Sequence, residues 1–564
     1  MLEERKTIEA RLSASPEVYR HTKFMARFEK AFPWLLVGGA VLGLLETYRK
    51  NANDRAKSNA DIKAALKNQE HQTEVLKERK AERRERYTKA VEQLGNEKAP
   101  VRMGGVYTLI GLADEWLLDE NLDYAEKVRE GQVIVNNLCA YIRSPFTLTS
   151  YYDELSEDAP SLEGSYKDKK EKFYADKAIL DSEADVRLSI IKEIHDRLQG
   201  PKENTPGTWS DFEYDFSGSV FFYPVDLTKS YYKKPINFSG STYEDEADFS
   251  GSTYQALADF SRSTYEDEAD FSRSTYQGEA NFNGSTYQGE ANFSRSTYQG
   301  GASFSGSTYQ GEANFRHSTY EDEADFRHST YQGEANFSRS TYQGWASFSG
   351  STYEDEADFR RSTYQGWAYF RHSTYQGGAY FRHSTYQGWA DFSGSTYQGG
   401  AYFSGSTYQG WADFTGSIYK SGAYFSGSTY EDVADFSGSI FYQKVYFGAD
   451  GDNSSFSRFT DCAPQFYDET NHKNTLFGSP NNDFTVDIDK GYPIDLDSEG
   501  IPLNCKFLTS EQKEYLADKL QEIEKINDKL FEVKDPTDKT ELSKNLSFLN
   551  EEFYEWWEEI TTLL

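Results

Sequence analysis

Aromatic residues recur along the middle of the chain at a fixed interval. Every eleventh residue from Phe216 to Phe447 is Phe, except Leu227. A second aromatic residue follows five positions after each one, from Phe221 to Phe441. Spacings of five and six match neither the 3.6-residue period of a helix nor the 2-residue period of a strand. The pattern therefore predicts stacked repeats rather than an ordinary globular core.

Several columns recur only in every second repeat, which predicts a 22-residue coil made of two repeats. Equivalent residues of successive coils would then be neighbours at one strand spacing, ~4.8 Å. One column holds four indoles: Trp345, Trp367, Trp389 and Trp411. An acidic column holds Glu246, Glu268, Glu290, Glu312, Glu334 and Glu356. A basic column holds Arg273, Arg295, His317, Arg339, Arg361 and His383.

The repeat has the form A-[DN]-F-S-x-S-T-Y-Q-G-x. This resembles the pentapeptide-repeat family, in a variant with one inserted residue for every two pentads. The resemblance implies a mainly β chain folded as a right-handed quadrilateral β-helix. It also implies an inward direction for Ala291, Phe293, Ser296, Tyr298 and their equivalents. The residues it implies to face solvent are Asn292, Ser294, Arg295, Thr297, Gln299, Gly300 and Gly301. We expect the buried Tyr hydroxyls to find partners at the coil corners among Ser, Thr or backbone groups.

An uninterrupted apolar run, Ala31 to Leu45, precedes the repeats. Together with the flanking Trp34 and Tyr48 it predicts a membrane helix at 31–48, after an N-terminal tail at 1–30. An interfacial helix or a buried soluble helix is the alternative. Residues 49–83 predict a basic stalk helix. The expected location is the cytoplasmic membrane, in a single pass, with the solenoid on the cytoplasmic side.

Helical patterns return on both sides of the repeats. Residues 84–200 predict a small helical domain with an irregular connector at 146–182, and two of its segments resemble the helical module of membrane-anchored pentapeptide-repeat proteins of actinobacteria. The repeats themselves occupy 214–448. The next segment, 449–508, is acidic and irregular, with Phe456, Phe459, Phe466 and Phe477 as expected core contacts. Residues 509–564 predict a helical hairpin that covers the last coil, or alternatively a homodimer interface.

Composition narrows the functional classes. The formal charge is −32, with 60 Lys and Arg against 92 Asp and Glu, which argues against a DNA-wrapping protein and against direct nucleic-acid binding. An aromatic content of 16% excludes a merely disordered acidic chain. Three Cys residues without C-x-x-C spacing form neither a disulfide framework nor a thiolate zinc site. No phosphate-binding, dinucleotide or hydrolase motif occurs, so we expect no catalytic residues, no cofactor and no metal.

Two hypotheses of function remain beside the unsupported one of an enzyme. The first is a membrane-anchored, non-enzymatic scaffold that binds a protein partner of unknown identity, with the four Trp residues as the candidate face; the alternative is that the indoles only stabilise the stack. The second is a DNA mimic that binds DNA gyrase or another nucleic-acid-binding protein. The net charge of −13 over residues 214–448 favours mimicry, whereas the basic column works against mimicry.

Overall fold

The computed structural model describes residues 37–449, 455–533 and 536–562. The chain divides into two compact units at residues 84 and 85. Helix α1, Val37–Leu94, begins in the first unit and ends in the second. Residues 31–36 of the expected membrane helix lie outside the described residues. Among the helices that are described, none combines the length and the apolarity needed to cross a membrane.

The second unit begins with a helical module. It contains α2 (Ala99–Leu118), α3 (Tyr124–Arg143), a 3-10 helix (Thr147–Tyr151), α4 (Tyr152–Ser156) and α5 (Lys170–Leu198). The predicted connector at 146–182 is therefore too long, because α5 begins at residue 170. Phe173 and Leu180 are buried in the added turns, among charged neighbours that hide their helical spacing in the sequence.

The repeats form four parallel sheets, one on each side of a coil, which confirms the predicted β-solenoid. The strands are dipeptides, and each sheet gains one strand with every coil of two repeats. Sheet 1 runs from Tyr214–Asp215 to Ala434–Asp435 and sheet 3 from Val225–Asp226 to Val445–Tyr446. Sheet 2 runs from Val220–Phe221 to Ile440–Phe441, then adds Leu476–Phe477 and Lys506–Phe507. Sheet 4 runs from Tyr231–Tyr232 to Thr429–Tyr430, then adds Arg458–Phe459.

Four aromatic ladders fill the interior, with Phe behind sheets 1 and 3 and Tyr behind sheets 2 and 4. The Tyr298 and Tyr320 rings stack with centroids 4.8 Å apart. The Phe293 and Phe315 rings stack at 4.9 Å, while Phe282 meets Phe293 edge to face at 5.0 Å. Ring stacking and strand pairing thus share one spacing, so the same register satisfies both.

The inward Ser residues join neighbouring coils. The Ser318 hydroxyl accepts a hydrogen bond from the Ser296 backbone N–H at 3.2 Å and donates one to the Phe293 carbonyl at 3.1 Å. The inward placement of Ala291, Phe293, Ser296 and Tyr298 is confirmed. Ser294 is buried as well, against the prediction; it lies in the turn just before Arg295, whose φ is 60°.

The Tyr hydroxyls of the interior contradict the expectation about their partners. Residues such as Tyr298 and Tyr320 are fully buried, and their hydroxyls make no hydrogen bond within the described residues. The adjacent inward Ser hydroxyls are already engaged with carbonyls of other coils. The Tyr rings are therefore buried because of the area that they stack. Burial of their hydroxyls without a hydrogen bond lowers the stability that the stacking provides.

The helical module closes the amino-terminal end of the solenoid with one continuous core. Trp209 is buried there, and its indole N–H donates to Asp114 Oδ1 at 2.8 Å. A buried ion pair lies nearby: Arg187 Nε donates to Glu183 Oε1 at 2.8 Å. The Arg187 guanidinium also donates to the Ile142 carbonyl at 2.7 Å and lies 5.5 Å from the centroid of the Phe222 ring.

The carboxyl-terminal end is closed by residues 455–508 rather than by the hairpin. Each aromatic ladder gains one more ring there: Phe459 stacks on Tyr430, Phe466 on Phe436, Phe477 on Phe441 and Phe484 on Phe447. Tyr467–Asp468 and Lys473–Asn474 form a small antiparallel pair in this segment. Phe456 was expected in the core, but it is 43% exposed. The segment behaves as an irregular further coil, because Phe side chains return at the ladder positions despite unequal spacing.

The predicted hairpin exists, as α6 (Ser510–Glu532) and α7 (Pro536–Thr561). Thr509 and Gln512 form the expected capping box. The hairpin packs on the outer side of sheet 2 instead of covering the last coil. Its buried residues share an apolar cluster with the outer side chains of that sheet: Ile418, Ile440, Leu476, Leu508, Leu516, Leu520, Phe553 and Trp557.

Replacing a ladder Tyr by Phe should stabilise the solenoid. Tyr309→Phe keeps the stacked ring and removes a buried hydroxyl that lacks a hydrogen bond. We expect the free energy of unfolding to rise by about 1 kcal/mol. Thermal unfolding followed by circular dichroism measures this, with Phe304→Ala as the destabilising control. A lower melting temperature for Tyr309→Phe would show that the hydroxyl is hydrogen-bonded in solution.

Breaking the buried ion pair should loosen the amino-terminal cap. Arg187→Met leaves the buried Glu183 carboxylate with Arg102 at 3.0 Å as its remaining cation and leaves the Ile142 carbonyl without its Arg187 donor, at an expected cost of about 1–3 kcal/mol. Lys89→Met, at an exposed ion pair with Glu85, is the matched control and should leave the melting temperature unchanged. Equal melting temperatures for the two variants would contradict a structural role for the buried pair.

Candidate interaction surface

The four outer faces of the solenoid differ because their outward columns differ. Sheet 1 carries the Trp column, and sheet 3, on the opposite side of the coil, carries the acidic and basic columns. Sheet 2 is covered at its carboxyl-terminal end by the hairpin. Over most of its length, sheet 4 presents an outward Thr and, two positions later, Gln or Glu. The predicted candidates therefore lie on two separate faces.

The four indoles of sheet 1 form an uneven surface rather than a uniform ladder. Trp389 and Trp411 stack with centroids 5.4 Å apart and planes 13° apart. Trp367 meets Trp389 edge to face at 6.3 Å. Trp367 and Trp411 are 56% and 43% exposed, whereas Trp345 and Trp389 are half-buried. Two indoles thus remain accessible on a rigid sheet.

Tyr369 completes this surface, although the sequence analysis did not single it out. Its ring lies 5.9 Å from the ring of Trp389 and 6.3 Å from the ring of Trp367. The Arg371 guanidinium lies 5.5 Å from the centroid of the Tyr369 ring. Its place in the strand Ala368–Tyr369, where most coils carry Asp, Asn or Ser, is the feature of the sequence that distinguishes it.

Carboxylates accompany the exposed indoles at the next outward position of sheet 1. Asp391, Asp413 and Asp435 occupy successive coils beside Trp389 and Trp411. Burial, with a smaller contribution from Asp391 and Asp435, raises the pKa of the Asp413 carboxyl to about 6. Asp413 is therefore mainly ionised at neutral pH. This end of sheet 1 combines apolar rings with negative charge.

The two charged columns run along the two sides, or edges, of the sheet 3 face, parallel to the solenoid axis. The six Glu residues precede its strands and are all exposed. The six Arg and His residues lie at the turn that follows its strands and are also exposed. These turn residues have φ between 58° and 60°, a left-handed conformation that favours Gly. The sequence pattern thus predicted the columns correctly as spatial neighbours, but it did not show this backbone.

An outer Tyr column continues sheet 3 beyond the charged coils. Tyr380, Tyr402 and Tyr424 stack with centroids 4.9 Å apart. The Tyr380 ring lies across Gly378, where a Cβ would come within 2.8 Å of the Tyr380 hydroxyl. This contact explains why Gly replaces Glu two positions before each of these Tyr residues.

Across the residues that the structure describes, no group of three or more His, Cys, Asp or Glu side chains is placed to hold a metal ion. His328 and His383 lie instead against the turn glycines of the next coil, Gly350 and Gly405. The surface chemistry is that of stacked rings and charged rows.

A family model described as pentapeptide repeats (9 copies) matches residues 271–319, 299–341, 321–363 and 365–407. Comparison with curated proteins and with solved structures finds no match. The matched residues are coils of the four-sheet solenoid, and the same pattern of coils extends on both sides of them. The comparison finds no enzymatic domain. Residues 271–363 and 365–407 of the solenoid are therefore pentapeptide repeats.

Proposed function

We propose that this protein is a non-enzymatic scaffold whose solenoid binds a protein partner through the Trp face of sheet 1. The observation that carries the proposal is the exposure of Trp367 and Trp411 on a rigid sheet. Apolar rings exposed side by side often mark interaction sites, and Trp is enriched in binding hot spots.

The chemistry of this face favours a partner segment that combines apolar side chains with Arg or Lys. The indoles offer apolar area and faces for cation–π contact. Asp413 and Asp435 add negative charge beside them. The solenoid as a whole carries −13 over residues 214–448, from 15 basic and 28 acidic residues, which would also attract a basic partner.

The proposal includes attachment to the cytoplasmic membrane through residues 31–48, with the solenoid on the cytoplasmic side. The support is the apolar run from Ala31 to Leu45 with Trp34 and Tyr48 at its ends. Gyrase mimicry is the weaker proposal, because the acidic column of sheet 3 lies beside a basic column of equal length.

Removing the two exposed indoles should abolish partner binding without unfolding the solenoid. The variant is Trp367→Ser with Trp411→Ser, and the matched control is Leu257→Ser, which lies in the same column of sheet 1 and is 39% exposed. A photo-crosslinking residue at 411 should capture a protein through a segment that contains Arg or Lys. The same residue at 257 should not capture it.

Binding should be lost in the double variant and retained in the control, with the melting temperature of each close to that of the original chain. A large drop in melting temperature with binding retained would mean that the indoles are only structural. Identical crosslinks from positions 411 and 257 would also contradict the proposal.

Membrane attachment predicts that the full-length chain remains with membranes after an alkaline carbonate wash. Peripheral proteins are released by this treatment, whereas an apolar span is held by the bilayer. Replacing Leu35, Leu36 and Val41 with Asp should release the chain. Release of the unaltered chain by carbonate would contradict a spanning segment.

A further inference from the structure

The two edges of the sheet 3 face carry opposite charges that lack ion-pair partners. The acidic edge is Glu246, Glu268, Glu290, Glu312, Glu334 and Glu356. The basic edge is Arg273, Arg295, His317, Arg339, Arg361 and His383. Within the described residues, no ion pair within 4 Å involves any of these twelve side chains. Five successive coils contribute one residue to each edge, from Glu268 with Arg273 to Glu356 with Arg361.

Each edge is electrostatically costly in a single chain. Neighbours in a column have the same sign and lie one strand spacing apart, ~4.8 Å. Burial and the nearby Glu312 raise the pKa of Glu290. Burial and the nearby Arg339 and Arg295 lower the pKa of His317. An opposite charge placed against either edge would relieve this repulsion.

Positive charge is kept at the turns despite an unfavourable backbone. Twenty-one turn positions from 218 to 438, one in each repeat, have positive φ. Eleven are Gly, and the other ten are all Lys, Arg or His. Asn, which accepts the left-handed conformation better than Arg or Lys, does not occur among them. At the corner after sheet 3 the basic residues are continuous over six coils, which a purely structural turn does not require.

The spacing of the charges restricts what could bind. A complementary partner must present charges in a straight row at the same ~4.8 Å interval. A second solenoid of the same rise has this property, and the Glu column of this chain has both the interval and the length of its basic column. We propose that two copies of this chain associate through their sheet 3 faces, with the Glu column of each against the Arg and His column of the other.

The order of columns across the face determines the orientation of the two copies. A two-fold axis parallel to the solenoid axis places the Glu edge of one copy against the basic edge of the other. A two-fold axis across the solenoid would place Glu against Glu and Arg against Arg, which is repulsive. The copies are therefore parallel and in register, so that Glu290 of each faces Arg295 of the other.

The middle of the face is compatible with this symmetry. A residue on the two-fold axis meets its own copy, so a neutral polar residue is favoured there. Asn292, Asn314 and Asn336 occupy this column in the central coils. Asp358, at the end of the charged stretch, is already paired with Arg360 at 2.7 Å. Asp248 and Asp270, at the other end, are carboxylates that this arrangement leaves facing their copies near the axis.

The dimer would leave the other functional surfaces free. Sheet 1 lies opposite sheet 3 in each coil, so the two Trp faces would point away from each other. The amino-terminal ends of the two solenoids would lie at the same end of the dimer. The inference uses only sheet 3, so its failure would not affect the proposed function of sheet 1.

Charge exchange tests the pairing. In the full-length chain, kept in mild detergent, Arg295→Glu with Arg339→Glu places Glu opposite Glu in two coils wherever the two copies meet. Glu290→Arg with Glu334→Arg places Arg opposite Arg in the same two coils. Each variant alone should dimerise at least about tenfold more weakly than the original chain. An equimolar mixture should restore the dimer, because each edge then faces its opposite. Sedimentation velocity at about 0.05 M and 0.5 M salt measures the association, which should weaken at high salt.

The matched control is Arg262→Glu with Glu279→Arg, which reverses charges beside sheet 1 and should leave the dimer unchanged. A monomer under all conditions would overturn the inference. So would a dimer that survives both reversals, or one that depends instead on Phe548 and Tyr554 of the hairpin, which are 66% and 59% exposed.

Crosslinking tests the register independently. With the half-buried Cys462 replaced by Ser, a chain carrying Glu290→Cys is mixed with a chain carrying Arg295→Cys. A disulfide should form between these two chains under mild oxidation. It should not form when the second chain carries Arg361→Cys, which lies three coils further along. The opposite preference would contradict parallel, in-register association.

Discussion

The coincidence of ring stacking with strand pairing is the interaction on which this structure depends. Parallel strands pair ~4.8 Å apart, and aromatic rings stack at nearly the same distance. Tyr287 and Tyr309 are 4.8 Å apart, and the Phe293 N–H donates to the Asn314 carbonyl at 2.7 Å in the same step from coil to coil. A chain with a mean hydropathy of −0.78 can therefore build a core from two ring positions per half coil. No Pro interrupts residues 236–463, because every coil needs its backbone donors.

A stack of this kind needs protected ends, and the two ends are protected differently. At the amino-terminal end, Trp209 donates to Asp114 of the helical module, and the Arg187 guanidinium of that module lies over the Phe222 ring of the first coil. At the other end, residues 455–508 add one more ring to each ladder. The final hairpin contributes to the side of the solenoid instead. Its Trp557 indole donates to the Gly438 carbonyl at 3.0 Å. In this chain, one segment therefore covers the open end of the ladders, and a different segment covers the apolar outer side of sheet 2.

Most of the solenoid could be predicted from the sequence because its core residues recur at a fixed interval. The two ends could not be predicted in this way because their core residues follow no fixed interval. Phe466 and Phe484 reach ladder positions through loops of unequal length, so no interval reveals them. One local feature could have indicated the place of the hairpin but was not used: the outward Thr of sheet 2 becomes Ile at 418 and 440. The hydrogen-bond partners of the Tyr hydroxyls could not be predicted, because the Ser hydroxyls expected to bind them form hydrogen bonds between coils instead. The Trp and charged columns were predicted as neighbours, but their exposure depends on the rotamers of adjacent rings, which the spacing of letters does not contain.

The division of each coil into two repeats also determines how such a gene can change in length. Loss or gain of a whole coil by slippage between repeated segments would leave every ring over a ring and every outward column on its own face. Loss of a single repeat would preserve the interior equally well, because both half coils supply one Phe and one Tyr position. It would, however, exchange sheets 1 and 3 for all later coils, so that Trp367 would follow Glu residues along the same face. The interior therefore tolerates the gain or loss of half a coil. The arrangement of side chains on the outer faces is preserved only when whole coils are gained or lost.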